Sequence, residues 1–213
     1  MHSAWETPIK PLQDIIMKPI LFNNLSIVLL DAIPALHGKD WVIENHRHPW
    51  FEFNYVSQGS VYTTLEGEEF LASAGCFYLI PPGAFHSHRH CDHQGDDGFC
   101  LRWQLTSEII SSGHSEISVL ADDFINVFSV ARPFTVAIGE EALVPLFNSG
   151  MNTVKLQAAF VHWLTSLYAL WKNPEEKPAA ENDHEKVLVQ QALLFLTEYH
   201  TQDLSVQEVA KSL

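Results

Sequence analysis

The feature that most constrains the fold is a series of short alternating segments separated by tight turns, from about residue 20 to residue 138. In residues 51–55 aromatic and polar residues alternate, which is typical of a strand with one buried face. Glu66-Gly67 is typical of a hairpin turn. Pro81-Pro82-Gly83 must end the strand before it, because proline cannot donate to a strand ladder. Short strands with close turns predict an all-β sandwich or barrel, with strands over residues 51–55, 61–65, 70–72, 76–80, 101–105 and 134–138.

After Gly139 the apolar residues recur every three or four positions, which is the spacing of one face of an α-helix. Leu143, Leu146 and Phe147 share one helix face, and a longer apolar stripe runs from Leu156 to Trp171. We therefore predict a mainly β chain with C-terminal helices, in which a β-barrel over residues 1–138 is followed by a helical segment over residues 139–173. The stripe is wider than one face packed on a small barrel requires, and surplus apolar surface usually marks an interface. The helical segment is therefore predicted to form a homodimer.

The remainder of the chain predicts a linker and two further helices. Residues 174–184 are rich in proline and acidic residues and contain no large apolar side chain, which is typical of a linker. The apolar residues within 185–213 have the spacing of helix faces. Ser205, followed three residues later by Glu208, is typical of a capping box at the start of a helix. The last helix reaches Leu213 without a C-cap, as expected for a piece of a longer protein.

Charge and composition exclude several functions. Acidic residues number 26 and basic residues 12, for a net charge of −14, and such a chain is repelled by nucleic-acid phosphates. We therefore predict no DNA-binding residue within these residues. Three cysteines without a CxxC pair suit a reduced, cytoplasmic protein. The apolar runs are far shorter than the roughly 20 residues that span a membrane, so no membrane association is expected.

Twelve histidines are unusual in a chain of 213 residues, and several of them predict a metal site. On one strand His46, His48 and Glu52 share parity and would point to the same face. The Pro-Gly turn would direct His86 toward them from a second strand. Three imidazoles and a carboxylate favour one divalent transition metal (Zn, Ni, Mn or Fe) over Mg or Ca.

Three further residues are candidates for binding a small-molecule ligand beside this metal. His88 shares strand parity with His86 and would also face the cavity. Arg102 and Trp103, which lie on a later predicted strand, are the other two candidates. His90 and His93 are interpreted as part of a polar loop, and no residue is assigned a catalytic role.

These residues carry a resemblance. His46-x-His48-x3-Glu52-x6-Gly59 and Gly75-x5-Pro81-x-Gly83-x2-His86 resemble the two motifs of the cupin superfamily. The resemblance implies a jelly-roll-like β-barrel in which the two His, the Glu and the third His bind one metal. The family's Gly ahead of the first His pair is absent, and His90 replaces the Asn that often ends the second motif. Neither departure touches an implied ligand.

The C-terminal stretch LVQQALLFLTEYHTQDLSVQEVAKSL resembles the opening of an AraC-type helix-turn-helix domain. A cupin followed by helices, a linker and this opening is the layout of AraC/XylS-family transcription regulators. The resemblance implies a non-enzymatic effector-sensing and dimerisation region, with DNA bound only by a part C-terminal to these residues. A metal-dependent cupin enzyme, an oxygenase or isomerase using the same four ligands, is the alternative.

Overall fold

The computed structural model describes residues 3–22, 25–107, 115–138, 143–147 and 152–172. After a short 3-10 helix at Lys10–Asp14, ten strands and three α-helices follow in this part of the chain. The strands are β1 Ile20–Phe22, β2 Leu25–His37, β3 Val42–His46, β4 Phe51–Gln58, β5 Ser60–Leu65, β6 Glu68–Ser73, β7 Cys76–Ile80, β8 His86–His90, β9 Asp96–Ser107 and β10 Val136–Ala137; the helices are α1 Ser115–Ser129, α2 Val144–Phe147 and α3 Thr153–Lys172.

The strands form two antiparallel sheets, in agreement with the predicted all-β architecture. The six-stranded sheet has the order β1-β2-β9-β4-β7-β10, and the four-stranded sheet has the order β3-β8-β5-β6. Each of the six strands predicted from the sequence is present, and β5 and β6 are joined at the Glu66-Gly67 turn. Both residues of that turn have positive φ, 51° and 88°, as a two-residue hairpin loop requires.

The two faces of the six-stranded sheet have different roles. Phe51, Phe53 and Tyr55 of β4 are buried in a core cluster that includes the helices. Glu52 and Asn54, which alternate with them, line a cavity between the sheets. The strand parity predicted for this segment is therefore confirmed, and it separates the hydrophobic core under the helices from the cavity that Glu52 and Asn54 line.

Helix α3 packs on the hydrophobic face of this sheet. The Asn152 side chain caps its first turn by accepting a hydrogen bond of 3.0 Å from the Lys155 N–H. The predicted stripe is largely buried within the chain, since Trp163 lies 5.0 Å from Phe53 between ring centroids. Among the described residues of α3, only Val154 and Leu170 are large, apolar and exposed. The exposed apolar surface of α3, on which the homodimer prediction depended, is thus much smaller than the sequence indicated.

Helix α1 was not predicted, because residues 115–129 lie inside the region interpreted as strands. Phe124 and Phe128, four residues apart, place two aromatic rings on one face. Phe124 stacks on Tyr168 of α3 at 4.9 Å between centroids, and Phe128 contacts Trp103 edge-on at 6.1 Å. The sheet therefore resumes only at β10, which pairs with β7.

The predicted linker at 174–184 and the predicted helices within 185–213 lie outside the described residues. No helix in the described ranges is long and apolar enough to cross a membrane.

Candidate metal centre and cavity

The structure brings three of the four predicted ligands, His48, Glu52 and His86, within 4.8 Å of one another, but not on one strand. His46 lies beside His86 but outside this group. His46 ends β3 in the four-stranded sheet, whereas Glu52 lies in β4 of the six-stranded sheet. His48 occupies the connection between them, and Pro49 follows it. Proline cannot continue a ladder, so the chain leaves one sheet here and enters the other. The prediction of three ligands on one strand face is therefore wrong.

His86 reaches the site through strand register and through the proline turn. It lies opposite His46 in the β3–β8 pair, and their ring centroids are 4.1 Å apart. The Gly83 N–H of the turn donates to the His48 carbonyl at 2.8 Å. The turn thus joins the second motif to the first, and the His48 and His86 rings lie 4.8 Å apart.

Each of the three imidazoles is oriented by a backbone carbonyl. His46 Nδ1 lies 2.9 Å from the Glu44 oxygen, His48 Nδ1 lies 3.0 Å from the Trp50 oxygen, and His86 Nδ1 lies 2.9 Å from the Ala84 oxygen. A carbonyl only accepts, so each Nδ1 carries a proton and Nε2 is the ring nitrogen left to face a metal. This is the arrangement that fixes metal-binding histidines.

Two of these Nε2 atoms are buried without compensation. Among the described residues, neither His48 Nε2 nor His86 Nε2 has a hydrogen-bond partner. His48, Glu52 and His86 each offer a ligand atom within 4.8 Å of the others, and all three are buried. Burial lowers the pKa of His86, and the neighbouring His46 and His48 lower it further, so the ring is neutral and able to bind a metal.

Glu52 is a permanently charged carboxylate. Its Oε1 accepts from the Asn54 amide at 3.0 Å, its Oε2 accepts from Arg102 Nε at 2.8 Å, and His48 Nε2 lies 3.3 Å from Oε2. Burial alone would raise its pKa, but these three neighbours together hold the pKa of Glu52 well below its usual range. The site therefore offers imidazole nitrogens and a negative oxygen, which is a donor set suited to a divalent transition metal.

A cavity of about 130 Å³ lies beside these groups. Its lining includes His46 and Glu52 of the metal centre, together with Asn54 and Arg102. For scale, a cavity of about 150 Å³ accommodates benzene. The cavity thus suits a ligand no larger than about one six-membered ring, placed next to the candidate metal.

The three predicted effector-binding residues differ in position. His88 lines the cavity, and its Nδ1 lies 3.0 Å from Thr63 Oγ1 and 3.4 Å from the Tyr78 hydroxyl. Burial lowers the pKa of His88 to about 3, so this ring is neutral. Arg102 also lines the cavity. Trp103 does not: it is fully buried in the opposite core against Phe51, because adjacent residues on a strand face opposite sides.

Several residues of the site were missed by the sequence analysis. Asn54 could have been found, since it shares strand parity with Glu52. Asp31 lies across from Arg102 in the β2–β9 pair and 3.5 Å from its guanidinium. His37 and Asp96 pair across the cavity wall at 3.0 Å. These contacts join strands far apart in sequence, so only the sheet order reveals them.

Comparison with known proteins agrees with this geometry. Residues 35–96 match the cupin domain family, and this range contains all four candidate ligands. The chain thus contains a cupin domain with a mainly β, cupin-like fold followed by helices. A search of curated protein sequences returned no match.

Solved cupin structures are also similar to part of the chain. The Cnp3 cupin domain of Schizosaccharomyces pombe is 12% identical, with 42% of this chain and 69% of that chain covered and a TM-score of 0.31. An RmlC-like cupin from Shewanella frigidimarina is 17% identical, with 44% and 86% covered and a TM-score of 0.30. A predicted oxalate decarboxylase from Thermotoga maritima is 14% identical, with 40% and 91% covered and a TM-score of 0.32. None of these comparisons points to the AraC/XylS family or to a helix-turn-helix domain.

Proposed function

We propose that this chain is a metal-containing, effector-sensing region of an AraC/XylS-type transcription regulator. The observation that carries the metal and effector parts is the set of carbonyl-oriented imidazoles, two with buried and unpartnered Nε2 atoms, next to a cavity. The regulator part depends on the resemblance of the C-terminal stretch to an AraC-type opening. In this proposal the protein acts in the cytoplasm.

His46, His48, Glu52 and His86 would hold the metal. A divalent ion held there would supply a Lewis-acidic centre beside the cavity. The protein's own contribution is orientation: Arg102 and Asn54 hold the Glu52 carboxylate, and the three carbonyls hold the imidazoles. Arg102 and neutral His88 are the polar groups available to a molecule in the cavity.

A metal-dependent cupin enzyme is the second candidate. The observation that favours it is that His46 and Glu52 belong both to the metal centre and to the cavity lining, so a molecule in the cavity lies within reach of the metal. Against it, Glu52 is held by Arg102 and Asn54 and does not serve as a general base. Turnover of a bound small molecule by the metal-loaded protein would favour this alternative over the sensor.

The metal is tested by elemental analysis of protein purified without chelator or nickel resin. We expect His48→Ala and His86→Ala each to remove the buried ion. His162→Ala, an exposed histidine on α3, is the matched control and should retain it. Metal content unchanged in both site variants would contradict the proposed centre.

The effector is tested by thermal shift of the metal-loaded protein against single-ring monosaccharides and aromatic acids. A ligand that raises Tm of the wild type but not of the Arg102→Met variant would support the cavity as its site. The regulator part is tested by sequencing the DNA that follows the codon for Leu213. A second helix-turn-helix rich in Lys and Arg would support it, and an immediate stop codon would contradict it.

We also propose that the sensor functions as a homodimer. Since most of the α3 stripe is buried within the chain, the contact would centre on Leu170, which remains exposed near the end of α3.

A further inference from the structure

A second group of metal-ligating side chains lies outside the buried centre. Asp40 lies in the loop between β2 and β3, His90 ends β8, and His93 lies in the loop between β8 and β9. These three residues each offer a ligand atom within 4.8 Å of the others. Because β3 and β8 are antiparallel, with Val42 opposite Arg89, the start of one strand adjoins the end of the other.

The three side chains already contact one another. His93 Nδ1 is paired with Asp40 Oδ1. The His90 and His93 rings are stacked at 4.7 Å between centroids with an interplanar angle of 28°. His90 Nδ1 accepts a hydrogen bond of 3.0 Å from the His93 backbone N–H, so its lone pair is directed into the loop.

The backbone holds both loops in place. The His90 N–H donates to the Trp41 carbonyl at 3.1 Å, which joins the two loops directly. Asp40 and His93 have φ of 66° and 57°, in the left-handed region that few non-glycine residues adopt, although Asp and His tolerate it better than most. The positions of the ligand atoms are therefore set by a sheet edge and a backbone hydrogen bond, and not by free rotation alone.

We propose that Asp40, His90 and His93 form a second divalent transition-metal site, independent of the buried centre. One carboxylate and two imidazoles suit Zn²⁺ and its neighbours in the transition series and not Mg²⁺ or Ca²⁺. The exposure of Asp40 and His93 leaves the remaining coordination positions to water. Binding through His90 Nδ1 exchanges its hydrogen bond from the His93 N–H for the metal bond.

The test is the number of Zn²⁺ ions bound by the 213-residue chain after treatment with chelator, measured by calorimetric titration. The wild type is expected to bind two ions and His86→Ala one. Asp40→Asn, His90→Ala and His93→Ala are each expected to weaken only the second ion, by at least about tenfold, the smallest loss usual for altering a metal's surroundings. Cys91→Ser and Asp92→Asn are matched controls in the same loop and should bind both ions.

Cobalt provides an independent readout. The Co²⁺-loaded His86→Ala protein should show d–d absorption that disappears when His93 is also replaced by Ala, without a thiolate charge-transfer band. A thiolate band that disappears in Cys91→Ser would overturn the proposed ligand set.

The failure of this proposal is distinguishable from failure of the buried centre. Loss of the buried centre alone leaves one ion that is sensitive to His93→Ala and insensitive to His86→Ala. A single ion lost in His86→Ala and unaffected by all three surface variants would overturn the second site. In that case the Asp40–His93 contact is only a surface ion pair.

Discussion

Replacement of Gly98 by alanine should strongly destabilise the sheet that carries Arg102 and Glu52. Gly98 lies in β9 opposite Val56 of β4, next to a bulge between Val56 and Gln58. A Cβ at Gly98 would lie 1.9 Å from the Tyr55 carbonyl oxygen and 3.0 Å from its carbon. The bulge brings the β4 backbone against β9, and such close approach is a usual reason for glycine within a strand.

The expected magnitude follows from that distance. Ordinary contact begins at 3.4 Å, so two central strands would have to separate by about 1.5 Å in a close-packed interior. Ordinary overpacking costs about 1–3 kcal/mol, and this overlap is with backbone that cannot rotate away. We expect Gly98→Ala to lower the free energy of unfolding by at least about 3 kcal/mol, which for a chain of this size lowers Tm by about 6–12 °C.

The assay is thermal and urea unfolding followed by circular dichroism, with Gly38→Ala as the matched control. Gly38 is exposed, and a Cβ there has no atom within 4 Å, so its replacement should change stability by less than about 0.5 kcal/mol. A Gly98→Ala protein within 1 kcal/mol of the control would refute the reasoning. It would mean that β4 and β9 are not held as closely as the bulge indicates.

Three further outcomes are expected. In urea unfolding, Arg102→Met should destabilise the protein by about 2–4 kcal/mol, because it leaves a buried carboxylate without its cation. Arg89→Met removes one partner of an exposed ion pair and should destabilise the protein by less than about 1 kcal/mol. Equal effects of the two substitutions would contradict the burial argument. Leu170→Asp should weaken the proposed dimer at least tenfold in sedimentation equilibrium while the circular dichroism spectrum at 25 °C stays unchanged, and an unchanged dissociation constant would exclude this surface. Burial raises the pKa of Cys100 well above its usual value, so this thiol should react with iodoacetamide at pH 8 only after unfolding. Half-buried Cys91 should react in the native protein. Mass spectrometry of the labelled peptides distinguishes the two cysteines.

Local patterns were sufficient to predict six of the ten strands in the described residues and the helices α2 and α3. The alternation at Phe51, Phe53 and Tyr55 predicts a buried face from the geometry of a single strand. The glycine and proline turns fix where strands end, because positive φ and a missing N–H act within a few residues. Helix α1 was missed although its Phe124 and Phe128 have helical spacing, since the region around it was interpreted as strands.

The ligand types of the candidate site could also be read from the sequence, but their arrangement could not. The spacing of His46, His48, Glu52 and His86 resembles cupin motifs, and three of these residues, His48, Glu52 and His86, lie within 4.8 Å of one another. The crossing at Pro49, which places His46 and Glu52 in different sheets, depends on how the whole barrel closes. The role of Trp103 was predicted wrongly because the sequence alone did not indicate which face of β9 is lined by helices.

The sequence by itself determined six of the extended segments, the helices α2 and α3 and which residue types are available to bind a metal, because these depend on periodicity and side-chain chemistry over a few residues. Only the tertiary structure decided that Arg102 and Asn54 hold Glu52, that carbonyls orient the imidazoles, and that Asp40 meets His93 53 positions away. The physical reason is that strand order brings together residues that are distant along the chain, and no local pattern encodes which strands become neighbours.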